Sequence, residues 1–200
     1  AQLHDENRGK KPSELTYNHD YPEFYKKLQH SKVSIVPLAP NGYFSKKIQT
    51  FNNSVGYASQ EAGGNLVVRE QWLENPAWQI MILEDEGEEY AKICDYLLGG
   101  KSVFIPYLGK NDHPANIDKT QEIKLGAPSH NYIDSLFIKN TDKMNGWQKE
   151  GEAPYLFQEI SPARLQKEYH FYEYETLIFT NYEVEHLPDN TFAHGEKNYA

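Results

Sequence analysis

The chain has 200 residues with 38% hydrophobic and 14% aromatic content, enough to bury a core, so we expect one domain with extensions or one large domain. Its net charge of −9 at pH 7 argues against a protein that coats nucleic acid non-specifically, because attraction to phosphate normally requires a basic surface. Any nucleic-acid role therefore requires a local basic patch.

The chain opens with a polar segment that is followed by helix and strand signals. Residues 1–13 are polar and predict a loop. Asp20 and Glu23 have the spacing of a capping box, which predicts a helix that ends near Gln29. The apolar run over residues 33–38 then predicts a strand.

A long β-hairpin is predicted over about residues 39–75. We expect its strands at 43–51 and 66–72 and its turn at 62–65. Its cations lie among aromatic side chains, and this mixture of charge and stacking faces is typical of proteins that hold single-stranded RNA. A hairpin that only packs on a partner protein is the alternative. The cations are Lys46, Lys47 and Arg69, and the aromatic residues are Tyr43, Phe44, Phe51, Tyr57 and Trp72.

A strand and a helix follow the hairpin. Residues 77–83 have apolar side chains on both faces, which predicts a central strand. Residues 88–98 predict a helix that ends at Gly99 and buries one apolar stripe. Because Cys94 lies on that stripe, we expect a buried, inert thiol rather than a nucleophile.

The next segment combines an apolar run with a polar loop. Residues 103–108 predict a buried strand, and Pro106 and Gly109 then bend the chain. Gly109 can adopt a positive φ angle and allows another backbone to approach closely. Tyr107 offers a stacking face beside it, and Lys110 offers a cation. Such a loop suits a phosphate or a nucleotide, while an ordinary structural turn is the alternative.

Two stretches resemble a known family. The string Pro-Tyr-Leu-Gly-Lys-Asn-Asp at 106–112 resembles the Pro-Tyr-Leu-Gly signature of the fifth Cas family, the subunit of type I Cascade complexes that caps the 5′ handle of the CRISPR RNA. Residues 51–57 resemble the thumb sequence of type I-B members in particular. The resemblance covers about residues 20–117. Family members begin with a strand and a Gly-rich helix, so the resemblance predicts that this unit is missing if the sequence is complete.

The resemblance implies an α+β fold with a ferredoxin-like, RRM-type antiparallel sheet of βαββαβ order, in which the long hairpin is a thumb. Residues 1–118 form this RNA-binding domain in the prediction. Residues 119–200 form a β-rich, antiparallel extension that packs on it without a flexible linker. The strands expected in the extension are 121–125, 132–138, 155–159 and a long run over 168–184.

The function that the resemblance implies is that of a non-catalytic RNA-binding subunit. Its expected partners are the 5′ handle of the CRISPR RNA and the backbone and large subunits of Cascade. The residues expected to contact RNA are Lys46, Lys47, Arg69 and Gln71 in the thumb, with Tyr107, Gly109 and Lys110 in the loop.

The cellular compartment is predicted from two absences in the sequence. Cys94 is the single cysteine, which rules out a disulfide framework and a cysteine zinc site. No stretch has the apolar length needed to cross a bilayer, and the first residues contain no hydrophobic signal region. We therefore expect a cytoplasmic protein without a membrane partner.

Enzymatic alternatives depend on acidic residues and histidines near the C-terminus. Two sets could supply metal ligands or acid–base pairs, namely His170, Glu173 and Glu175, or Glu183, Glu185 and His186. On a strand, however, His170 and Glu173 point to opposite faces, and Glu183 with Glu185 is equally typical of a solvated strand face. No nucleophile elbow, phosphate-binding Gly-rich loop or HExxH pair occurs, so we predict no metal, no cofactor and no catalytic residue.

Two alternatives to an RNA-binding subunit stay open. The first is a metal-independent endoribonuclease that uses His, Lys and Tyr, because the chain has 8 His and 15 Tyr. In type I-C members of the resembled family the subunit processes the precursor RNA itself, whereas in type I-B a separate nuclease is expected to do so. The second alternative is a purely structural subunit that contacts only protein.

Overall fold

A computed structural model describes residues 21–53, 64–84, 87–139 and 144–200, together with positions 9, 11 and 60. Four features expected from the sequence lie outside the described residues. They are most of the N-terminal loop over 1–13, the cap at Asp20, the aromatic residue Tyr57 and the turn positions 62 and 63.

The chain is α+β, and in the described ranges its strands form small antiparallel sheets. In those ranges the helices are α1 (Glu23–Leu28) and α2 (Glu88–Leu98), and a 3₁₀ turn covers Pro40–Gly42. The strands are β1 (Val33–Pro37), β2 (Lys46–Asn52), β3 (Val67–Leu73), β4 (Trp78–Ile82), β5 (Phe137–Ile138), β6 (Met144–Gln148), β7 (Leu156–Leu165), β8 (Tyr172–Thr180), β9 (Tyr182–Val184), β10 (Phe192–His194) and β11 (Lys197–Tyr199).

The first four strands form two separate antiparallel pairs. β2 pairs with β3, which confirms the predicted long hairpin over the residues that the structure describes. β1 pairs with β4, so the hairpin is inserted between two strands that are neighbours in space. The expectation that β4 is a central strand is wrong in the described part of the chain, because β4 pairs there with β1 alone. Ile80 of β4 is accordingly exposed.

Both predicted helices are confirmed, but Pro22 rather than Asp20 is the N-cap of α1, so the predicted capping box is wrong. α2 begins after Gly87 and ends at Gly99, and its apolar stripe is its least exposed side. Cys94 on that stripe is half-buried rather than buried, which corrects the sequence-based expectation. Its hydrogen bond with Tyr90 one turn away raises the pKa of the Tyr90 phenol to about 12.

The apolar run at residues 103–105 is the clearest difference from the sequence-based expectation. Val103 and Phe104 form a bend and Ile105 has no regular secondary structure, and the three residues are 71%, 84% and 76% exposed. The β-branched and aromatic composition suits a strand only where a neighbouring strand and a second layer are available. Among the described strands none pairs with this run. The predicted buried strand at 103–108 is therefore wrong.

The C-terminal part contains a three-stranded antiparallel sheet of order β5-β8-β7. The expected strand at 155–159 is confirmed in β7 from residue 156 onward. The expected run over 168–184 is confirmed only from residue 172, as β8 and β9, because residues 168–171 lie in the turn and connection that precede β8. The expected strand at 121–125 is wrong, and only the last two residues of the 132–138 run are strand. The short strands β6, β10 and β11 were not predicted.

The core joins strand β1 to the C-terminal sheet. One cluster contains Ile133, Phe137, Ile178 and Val184, and a second contains Val36, Phe179 and Tyr199. The backbone N–H of Leu136 donates to the carbonyl of Ile35 at 2.7 Å, which ties the two parts together. The domain boundary near residue 118 stays a prediction.

Gly42 at the base of the hairpin lies directly against this core. Its φ angle is +75°, and a Cβ at this position would lie 2.6 Å from Cδ1 of Phe179. Only glycine satisfies both the positive φ and the close approach, so the 3₁₀ turn that leads into β2 is fixed on β8.

We predict that Ile178→Ala lowers the free energy of unfolding by about 2–5 kcal/mol, because the side chain is 1% exposed and its removal leaves a cavity. The matched control is Ile160→Ala on the neighbouring strand β7, where the side chain is 73% exposed and a change within about 0.5 kcal/mol is expected. Urea unfolding followed by circular dichroism measures both. Equal losses in the two variants would contradict the position of the core.

Candidate nucleic-acid interface

The pairing register of the β2–β3 hairpin divides its side chains between two faces. Lys46 is opposite Leu73, Lys47 is opposite Trp72, and Thr50 is opposite Arg69. Opposed residues of an antiparallel pair lie on the same face, and successive residues alternate. The open face consists of Lys46, Ile48, Thr50, Asn52, Val67, Arg69, Gln71 and Leu73, and the covered face consists of Lys47, Gln49, Phe51, Val68, Glu70 and Trp72.

The open face is exposed along its whole length. It brings together three of the residues predicted to contact RNA, Lys46, Arg69 and Gln71. Lys46 and Arg69 are separated by four residue steps, roughly 14 Å at the rise of an antiparallel strand. The Lys46 ammonium lies 5.9 Å from the centre of the Tyr43 ring, which adds an exposed aromatic surface beside the cation.

The loop over residues 106–114 contacts the covered face through Lys110. The Lys110 ammonium lies 2.6 Å from Oε2 of Glu70. It also lies 4.8 Å from the centre of the Trp72 ring and 5.3 Å from the centre of the Phe51 ring. The thumb and the loop predicted from the sequence are therefore brought together, and Lys110 is the residue that joins them.

Trp72 connects the same two segments a second time. Its indole Nε1–H donates to Oε2 of Glu70 at 2.7 Å, and its ring meets the ring of His113 edge to face, with centroids 4.6 Å apart. Hydrogen bonds from Lys110 and then from Trp72 hold the pKa of the Glu70 carboxyl below its ordinary value.

Backbone hydrogen bonds inside the loop give it a defined turn. The N–H of Leu108 donates to the carbonyl of His113 at 2.8 Å, and the N–H of His113 donates to the carbonyl of Lys110 at 3.0 Å. Gly109 has the expected positive φ, +79°. Tyr107 forms an isolated bridge with Pro114 at the base of the turn and remains half exposed.

The geometry separates the predicted site residues into three groups. Lys46, Arg69 and Gln71 share the open face, whereas Lys47 lies on the covered face. Tyr107, Gly109 and Lys110 lie in the loop against the covered face. Sequence reasoning missed Glu70 and His113, although the alternation of β3 already places Glu70 on the same face as Trp72.

A second cluster combines the residue types that a metal-independent endoribonuclease would need. His130, Tyr132 and Lys149 line a cavity of about 450 Å³. The Lys149 ammonium lies 2.5 Å from Oδ1 of Asp134 and 5.6 Å from the centre of the Tyr132 ring.

The histidine of this cluster is engaged on both ring nitrogens. Nδ1 of His130 accepts hydrogen bonds from the backbone N–H of Tyr132 at 3.2 Å and from Nδ2 of Asn198 at 2.9 Å. The ring proton is therefore on Nε2, which lies 3.1 Å from the carbonyl oxygen of Glu196. The cavity thus contains residue types that could transfer protons, but His130 and Lys149 are engaged in contacts with other groups of the chain.

The acidic residues that suggested a metal site have another role. Arg164 forms ion pairs with Glu173 and with Glu175, the latter at 3.1 Å. Within the described ranges, no three His, Cys, Asp or Glu side chains are grouped so that they could hold a metal ion. In the same ranges no helix has the length and apolar character required to span a membrane.

The chain matches no protein-family model, no curated protein sequence and no solved structure. The resemblance to the fifth Cas family therefore stays a prediction that depends on the residues at 51–57 and 106–112.

We predict that the indole N–H signal of Trp72 titrates with a midpoint below 4.5, the ordinary pKa of a glutamate, because Glu70 accepts the hydrogen bonds of Trp72 and Lys110. A carboxyl whose pKa is lowered in the folded state stabilises that state above its ordinary pKa, and this contribution is lost as the pH falls through the lowered value. Proton–nitrogen NMR spectra between about pH 7 and pH 3 measure the midpoint while circular dichroism monitors the fold.

The control for this titration is Glu70→Gln, which should abolish the pH dependence of the Trp72 signal. A midpoint at 4.5 or above in the natural chain would contradict the contact between Glu70, Lys110 and Trp72.

Proposed function

We propose that this chain is a non-catalytic RNA-binding protein that holds a single strand of RNA on the open face of its β2–β3 hairpin. One observation carries the proposal. Glu70 is the single carboxylate in the two strands, and it lies on the covered face, where it pairs with Lys110. The open face therefore combines two cations with no strand carboxylate opposing them.

The other side chains of the open face suit the same ligand. Gln71 and Thr50 supply hydrogen-bond donors and acceptors next to Arg69, and the exposed Ile48 supplies an apolar contact. Single-stranded RNA is bound by such mixtures of cations, polar groups and contacts to base faces, since its bases are not paired. In a chain with a net charge of −9, a local surface of this kind is required for RNA binding.

The resemblance extends the proposal to a particular RNA and assembly. On this proposal the ligand is the 5′ handle of a CRISPR RNA, and the protein partners are the backbone and large subunits of a Cascade complex in the cytoplasm. The insertion of the hairpin between the paired strands β1 and β4 supports this part, because the resembled thumb follows the second strand of a βαββαβ unit. The ferredoxin-like arrangement is a component of the same proposal.

A second candidate function is that of a structural subunit that contacts only protein. It is favoured by the exposed apolar run Val103–Phe104–Ile105, because exposed apolar patches mark surfaces that pack against other proteins. This run is separate from the open face in sequence and in strand pairing. Substitutions of the open-face cations should therefore weaken RNA binding if the first function is right and leave it unchanged if the second is right.

We predict that the double change Lys46→Ala and Arg69→Ala weakens binding of a short single-stranded RNA. It should reduce the slope of log K against log salt by roughly 1.4, at about 0.7 for each phosphate contact of a single strand. Fluorescence anisotropy over a series of salt concentrations measures affinity and slope. Lys47→Ala should change the slope little, because this side chain, although exposed, lies on the opposite face of the hairpin from Lys46 and Arg69.

The matched control is the double change Lys92→Ala and Lys101→Ala, which removes the same charge from α2 and the residues after it. It should leave the slope unchanged. Equal slopes for both double variants would favour the protein-only function. Specific cleavage of the RNA without metal would favour the endoribonuclease.

A further inference from the structure

The contacts of Lys110 give this residue a role that differs from phosphate binding. We propose that Lys110 is a positioning residue, which fastens the loop at 106–114 onto the covered face of the hairpin and so confines RNA to the open face. The inference rests on the proposed RNA-binding function. We call the contact of Lys110 with Glu70, Phe51 and Trp72 the clamp.

In the clamp, the Lys110 ammonium contacts one carboxylate and two aromatic rings. Glu70 accepts a charge-assisted hydrogen bond at 2.6 Å, which is stronger than a bond between neutral groups. The rings of Trp72 and Phe51 lie within the distance at which a cation is attracted to an aromatic ring. A phosphate that approached Lys110 would have to compete with a carboxylate already in place, so Lys110 is a poor ligand for RNA.

A second contact fixes the orientation of the loop. His113 meets the Trp72 ring edge to face, three residues after Lys110. The hydrogen bond from the His113 N–H to the Lys110 carbonyl closes a turn that contains both residues. Two points of contact prevent rotation of the turn about either one, so the loop and the hairpin move as one unit.

The hairpin needs such support because it is a two-stranded ribbon. An isolated two-stranded hairpin is at best marginally stable in water, and packing of one face against another element is required. Among the described residues, the loop at 106–114 supplies this packing through Lys110 and His113. The clamp therefore determines the rigidity of the open face without contributing a group to it.

The first test measures the clamp without RNA. Hydrogen exchange of the amides of Leu108 and His113 is compared among the natural chain, Lys110→Met, Glu70→Gln, and the charge exchange of Glu70→Lys with Lys110→Glu. We expect each single change to reduce protection about threefold to fivefold, the range of a partly exposed ion pair with an aromatic contact. The charge exchange should restore part of this protection, and Lys110→Arg, which keeps the cation, should lose less of it than Lys110→Met.

The second test separates positioning from phosphate binding. With a short single-stranded RNA, Lys110→Met should weaken affinity about threefold and leave the slope of log K against log salt unchanged. A positioning residue acts through the rigidity of the hairpin, whereas a phosphate contact contributes about 0.7 to the slope. A slope reduced by about 0.7 would overturn the positioning role and identify Lys110 as a phosphate ligand.

The two tests distinguish failure of the clamp from failure of the proposed function. Unchanged hydrogen exchange in Lys110→Met and Glu70→Gln would overturn the clamp whether or not RNA binds. Reduced protection together with no RNA binding by the natural chain would support the clamp as a contact and overturn its role in RNA binding. Reduced protection with an unchanged salt slope supports the inference in full.

Discussion

Opposed residues of an antiparallel strand pair share a face. The register of the β2–β3 hairpin, in which Lys47 pairs with Trp72, therefore determines which charged side chains lie together on each face. A shift of one residue would exchange the two faces. In the observed register Glu70 is placed with Lys47 and faces the loop, while Lys46 and Arg69 face outward. The separation of Lys46 from the Glu70 carboxylate depends on this register, whereas Arg69 and Glu70 are consecutive residues and lie on opposite faces in any register.

The base of the hairpin connects this register to the core. The N–H of Leu38 donates to the carbonyl of Ala77, and the N–H of Glu74 donates to the carbonyl of Ser45. Gly42 then contacts Phe179 in the cluster that also contains Val36. The two strands thus leave the core at fixed points. Two contacts therefore fix the position of the open face. The core holds the base of the hairpin, and the loop at 106–114 packs against the covered face.

Sequence reasoning succeeded where the chemistry is local. The amphipathic spacing of α2 and the alternation in β2 and β3 are properties of consecutive residues, and these elements were predicted. The run at 103–105 has the same composition as a buried strand, but whether it becomes one depends on partners elsewhere in the fold. The spacing of apolar residues along the chain carries no information about such distant partners. The strands at 103–108 and 121–125 were therefore predicted wrongly.

The candidate site shows the same limit. Lys46 and Arg69 could be chosen from composition, because cations among aromatic residues are visible in the sequence. The partner of Lys110 is 40 positions away in Glu70, and this pairing becomes evident only when the loop and the hairpin are placed together. The prediction from the sequence considered the cations alone. It did not include Glu70, the carboxylate between Arg69 and Gln71 that pairs with Lys110.

The acidity of the chain limits how such an interface can work. With a net charge of −9, carboxylates elsewhere oppose RNA within a Debye length, about 8 Å at physiological ionic strength. On the proposed function, RNA that extends beyond the open face would gain little further attraction. Binding would then be concentrated where Lys46 and Arg69 lie, over a few nucleotides. A protein with this distribution of charge is suited to hold a short defined segment of RNA and poorly suited to coat a long one.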